Sequence, residues 1–173
     1  AFRPSYLYGG SGSAFRDDGQ TDAIFFLLGP EIATYEHAFY KPDVYFEETH
    51  ADIPLDDYHR MVEAMVKNDK RNKQIELRVL LEANAGRQVL VLVKRRAHAA
   101  RLCESLAGAV LIDSDDKKRN ETLALAKAIP GGFQIMVGTT ALLATGIDIP
   151  SLDTLILACD MRGEVLTTQS AGR

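Results

Sequence analysis

Apolar residues in the second half of the chain come in short unbroken runs, with helical spacing between them. Val89-Leu90-Val91-Leu92-Val93 is five apolar residues long and predicts a strand buried on both faces. Ala109-Val110-Leu111-Ile112, Ile135-Met136-Val137 and Thr154 to Ala158 predict three more. Between them, Ala97 to Leu106 reads as an Ala/Leu-rich helix. A second helix carries Leu123, Leu125, Ala126 and Ile129, with Asp113-Ser114-Asp115-Asp116 as its cap and Pro130-Gly131-Gly132 as its stop. Strands alternating with helices at this spacing imply an α/β fold, a parallel sheet with right-handed crossovers.

Further upstream the pattern is more mixed. Met61, Val62, Met65 and Val66 make a core-facing helical stripe over His59 to Asn68, behind Pro54 and its acidic neighbours. Lys67 to Lys73 reads as a polar, basic bend, and a second helix is expected from Lys73 to Ala83, ended by Asn84-Ala85-Gly86. Val44-Tyr45-Phe46 and Tyr6-Leu7-Tyr8 have strand composition, and Ile24 to Leu28 is an apolar run ended by Gly29-Pro30. Glu31 to Phe39 predicts a helical turn or two.

The stretch Phe133 to Asp148 organises the chain. Gly138-Thr139-Thr140 interrupts its strand, Ala141 to Ala144 is a short helical turn, Gly146 breaks that turn, and Pro150 closes the loop. Thr140, Gly146 and Asp148 therefore fall near the carboxyl end of a strand, where open α/β sheets bind ligands. For Asp148 the alternative is a turn carboxylate capping nearby amides.

Totals narrow the classes. The 173 residues suffice for one sizeable domain or a domain plus a fragment, and the apolar content of 46% permits a core. No apolar run approaches a membrane span and no signal-peptide pattern occurs, so no membrane partner is expected. Cys103 and Cys159 lack neighbours at metal spacing. They read as small buried residues in a reducing compartment, the cytoplasm, and no metal site is expected. The net charge of −4 hides a division: residues 1–60 balance at −7 and residues 61–173 at +3. A phosphate-binding surface belongs in the second part and must be local. Lys94-Arg95-Arg96, just after the first strand, is either such a surface or a solvated basic loop. His98 reads as packed or backbone-bonded. Glu47-Glu48-Thr49-His50 reads as a solvated strand end.

Phe133 to Pro150 resembles motif V of the superfamily 2 helicases and translocases, with Thr140, Gly146, Asp148 and Pro150 at its signature positions. Gln169-Ser170-Ala171-Gly172-Arg173 resembles the front of motif VI, and Gly9 to Gly19, through Ser11-Gly12-Ser13 and Arg16-Asp17-Asp18-Gly19, resembles motif III and its tail. Lys94-Arg95-Arg96 with His98 resembles the motif IV region, and Arg119 stands where many such domains open a helix with an arginine.

The resemblance implies a RecA-like helicase C-terminal domain: a parallel sheet flanked by helices, a P-loop NTPase fold without its own Walker A. It implies the end of a first motor domain in 1–22, a connecting segment in 23–60, and the second motor domain in 61–173, cut within motif VI. The branch implied is the one with phage and restriction-type relatives. It further implies nucleic-acid backbone contacts from Ser11, Lys94, Arg95 and Thr140. Gly146, Asp148 and Gln169 would face the nucleotide, and Arg173 would serve both nucleotide binding and catalysis. The implied partners are nucleic acid, DNA ahead of RNA, and the N-terminal motor domain of the same protein. ATP and Mg2+ are the cofactors implied for the intact parent.

The sequence has no Gly-x-x-x-x-Gly-Lys-Ser/Thr, no Gly-Lys dipeptide and no Asp-Glu pair. The chain alone is therefore expected to bind no cofactor and to hydrolyse no ATP. The alternative is a stand-alone α/β scaffold that binds nucleic acid or protein without ATP chemistry.

Overall fold

A computed structural model describes residues 9, 19–33, 42–49, 52–54, 56–112, 119–128, 133–141 and 149–160. The chain divides into two units, one of residues 1–43 with 162–172 and the other centred on residues 44–161. In the first, the described residues form one helix, α1 (Thr21–Leu28), over the apolar run, with Gly29 at φ 86° receiving the chain at its end. Positive φ there suits glycine, which has no Cβ to clash.

The second unit runs α2 (Tyr58–Lys67), α3 (Asp69–Asn84), β1 (Val89–Val93), α4 (Arg96–Ser105), β2 (Val110–Ile112), α5 (Arg119–Ala128), β3 (Ile135–Thr139) and β4 (Thr154–Leu157). The four strands form one parallel sheet in the order β2-β3-β1-β4. This is the α/β architecture that alternation predicts. β1 and β3 are central, and every residue of both is buried.

Period-2 alternation along β1 splits the core between two faces. Val89, Val91 and Val93 pack with Ile75, Val79 and Ala83 of α3 and Ala99 and Leu102 of α4. Leu90 and Leu92 point the other way, to Met136, Ile112 and Ile149.

At the amino end of the sheet, Gln88 is 4% exposed and bonds throughout. Its amide donates to Asp153 Oδ2 (2.9 Å), its Nε2 donates to Phe133 O (2.8 Å), and its Oε1 accepts from Ser151 Oγ (2.6 Å). That end is closed by satisfied, mostly neutral groups.

Three local expectations change. Residues 42–49, including Val44-Tyr45-Phe46, are irregular and those three side chains are exposed. β composition makes a strand only where a partner edge is available. Gly138 and Thr139 continue β3 instead of ending it: Gly138 pairs with Leu92 and Ile112, Thr139 with Val93. Pairing on both sides of a central strand overrides a weak local preference. The basic bend shrinks to a single residue. Asn68 ends α2, and its side chain accepts from the Arg71 amide (2.9 Å), so α3 starts at Asp69. Asp57 caps α2 in the same way, through the Arg60 amide (2.9 Å).

Candidate nucleic-acid interface

Three cations stand at the carboxyl end of the sheet. β1 leaves the core at Val93 and passes to Lys94, Arg95 and Arg96, all exposed. Arg95 is extended (φ −118°, ψ 138°) and α4 begins at the next residue, so the first-turn amides of a ten-residue helix open beside these cations. β3 leaves the sheet alongside. The Thr140 amide donates to Val93 O at 2.9 Å, which fixes the Thr140 backbone directly beside Lys94. Thr140 itself is half-buried.

β4 ends on the other side of β1. The Ala158 amide donates to Leu92 O (2.8 Å), and Cys159 and Asp160 follow. Burial and the Asp160 carboxylate push the Cys159 thiol up to about 11, against the opposing charges of Lys94 and Arg71. A neutral thiol of this kind is a packing group and not a nucleophile at neutral pH.

Under this rim lies a set of buried polar groups on α3 and α4. Arg71 is 7% exposed and donates from Nη2 to Ala158 O (2.9 Å). Its Nη1 is buried with no hydrogen-bond partner among the described residues. Asn72 donates from Nδ2 to Val66 O (2.9 Å), which leaves its Oδ1 to accept from His98 Nε2 at 2.8 Å. His98 therefore carries its proton on Nε2. Burial, with Arg71 and Arg101 adding repulsion, pulls its pKa down to about 4, so the ring is neutral at physiological pH. Arg101 donates to Asp69 and, at 3.3 Å, to Val66 O. Tyr58 Oη reaches Asp160 Oδ1 at 3.5 Å, which brings the start of α2 to the exit of β4.

The model of the helicase conserved C-terminal domain matches residues 70–173. The chain belongs to that family.

Two relatives of this helicase C-terminal domain are viral proteins. Putative helicase 161L of invertebrate iridescent virus 6 is 28% identical over 179 residues, 91% of this chain and 40% of that protein. Transcript termination protein A18 of Myxoma virus (strain Lausanne) is 30% identical over 131 residues, 72% of this chain and 27% of that protein. The chain thus spans less than half the length of either relative. Among solved structures, T4 UvsW superposes with a TM-score of 0.55 at 19% identity, over 68% of this chain and 25% of that one, and supports the fold.

Among the residues expected to act, Lys94, Arg95 and Thr140 meet on the rim through adjacent strand ends. Arg119 is the first described residue of α5. Gly146, Asp148, Gln169, Arg173 and Ser11 lie outside the described residues. His98 is packed, as its sequence context suggested, and its partner is the Asn72 side chain. The Arg71–Asn72 pair escaped the sequence reading because it looked like part of a solvated basic bend. The missed signal was the Asn68 cap position, three residues ahead of Arg71, which starts the helix early enough to turn this pair inward. Among the described residues no cluster of His, Cys, Asp or Glu could hold a metal ion, and no helix is long and apolar enough to cross a membrane.

Proposed function

We propose that this domain is the second motor domain of an ATP-dependent DNA helicase or translocase, of the phage and restriction-type branch. It grips one nucleic-acid strand by its backbone at the carboxyl rim of the sheet. The observation that carries this reading is the Thr140–Val93 bond. It holds a hydroxyl-bearing strand end beside Lys94-Arg95 and the start of α4, and the three together suit a row of phosphates. A hydroxyl and main-chain amides donate to phosphate oxygens, lysine and arginine release counterions, and a helix start adds partial positive charge. None of these features reads base identity, which fits a motor that moves along any sequence.

ATP chemistry in this reading is shared with an N-terminal motor domain of the same protein, which supplies the phosphate loop, the metal carboxylate and Mg2+. The sequence here carries no Gly-Lys dipeptide and no Asp-Glu pair for those tasks. Gly146, Asp148, Gln169 and Arg173 are the residues proposed to face the nucleotide from this side, with Arg173 offering charge to the transferring phosphoryl group. The test is binding of the 173-residue chain to single-stranded DNA, forked DNA and RNA, with ATP turnover measured in parallel. Salt-sensitive binding to DNA without turnover supports the reading. Binding that ignores salt, or turnover above background in a clean preparation, contradicts it. A protein ligand captured where no nucleic acid binds would favour the scaffold alternative.

A further inference from the structure

The buried polar set beneath the rim reaches both the start of α4 and the exit of β4, an exit already bonded to β1 through the Ala158 amide and Leu92 O. Asn72 reaches His98, the third residue of α4, and so fixes the turn that follows Lys94 and Arg95. Arg71, one residue earlier, reaches Ala158 O, the first carbonyl past β4. Both come from the first turn of α3, which is pinned by the Asn68 cap and by the Asn72 bond to Val66 O. A single helical turn therefore holds the start of α4, which follows β1, and the exit of the neighbouring β4.

A buried guanidinium and a buried imidazole are costly groups to use as packing, since each loses its hydration. Among the described residues Arg71 makes one side-chain bond with one buried nitrogen left over, so it is poorly explained as a stabilising contact. Directional bonds to two specific points are what these residues add over apolar side chains of the same size.

We infer that Arg71, Asn72 and His98 are positioning residues, which hold the start of α4 and the exit of β4 so that Lys94 and Arg95 face a nucleic-acid backbone. They touch no ligand themselves. The inference rests on the proposed backbone grip, and its test separates the two.

The experiment is a double-mutant cycle on the 173-residue chain, read by anisotropy of a labelled single-stranded oligonucleotide and by thermal melting. His98→Ala is expected to weaken binding roughly five-fold, about the size of one lost phosphate contact. His98→Gln, whose side-chain amide can still donate to Asn72 Oδ1, restores binding to within about two-fold. The combination of His98→Ala with Lys94→Ala is no weaker than Lys94→Ala alone, because both remove the same contact. Arg71→Met weakens binding while the melting temperature stays near wild type. Should His98→Ala fail to fold, Asn72→Ser replaces it in the cycle.

Losses from His98 and Lys94 that add independently, or a His98→Gln variant as weak as His98→Ala, overturn the positioning role. If Lys94→Ala weakens binding and His98→Ala does not, this inference fails and the backbone grip stands. If the wild-type chain binds no oligonucleotide, the grip fails and the inference with it.

Discussion

The Thr140 amide donates to the Val93 carbonyl at 2.9 Å, so the end of β3 is fastened to the last residue of β1 immediately before its cationic exit. The bond uses only main chain. Substitution of the threonine side chain therefore leaves the fastening in place.

Thr140→Ala should separate binding from folding. Its stability should lie within about 0.5 kcal/mol of wild type by chemical denaturation. Its affinity for single-stranded DNA should drop about ten-fold or more, since a hydrogen bond to a charged group contributes about 1.5–3 kcal/mol. Unchanged affinity would mean that the hydroxyl faces no phosphate.

His98 predicts a specific pH dependence of stability. Its folded pKa of about 4 lies below the ordinary 6.5 because burial, then Arg71 and Arg101, disfavour the imidazolium. The unfolded chain therefore binds this proton more readily. The contribution is fully present above pH 6.5 and is lost as pH falls from 6.5 towards 4. The upper bound for this one group is about 3 kcal/mol. Urea unfolding of wild type and His98→Gln across that range should show a shallower decline for the glutamine variant. Parallel declines would place the acid sensitivity elsewhere.

The sheet was readable from sequence where burial dictates residue type. Val89 to Val93 is apolar at every position because both neighbours and both faces are occupied, and no other reading of that run fits. Gly138 and Thr139 were harder, since their place in β3 comes from pairing partners distant in sequence. Val44-Tyr45-Phe46 failed in the opposite direction, with strand composition and no strand.

On the candidate site, Lys94, Arg95 and Thr140 were legible because strand ends collect polar residues and the motif spacing marks them. Their mutual placement awaited the sheet order, which brings β3 beside β1 across a crossover. Gln88, Arg71 and Asn72 were not legible at all. Each is a polar residue made acceptable in the interior by bonds to carbonyls or side chains far along the chain.

The second face of the sheet should be as demanding as the first. Leu92 is fully buried against the cluster that includes Met136, Ile112 and Ile149. Leu92→Ala should cost about 3 kcal/mol by chemical denaturation, from lost transfer energy plus a cavity the central strand cannot close. A cost under about 1 kcal/mol would show that this face is loosely packed.

The central claim is that Lys94 and Arg95 meet a nucleic-acid backbone at the carboxyl rim, and the salt dependence of binding tests it most directly. Association of single-stranded DNA with the 173-residue chain and with its Lys94→Ala/Arg95→Ala variant would be measured between about 50 and 200 mM salt. Loss of two phosphate contacts should make the slope of log K against log salt shallower by about 1.4 in the variant. An equal slope for both proteins would contradict the claim.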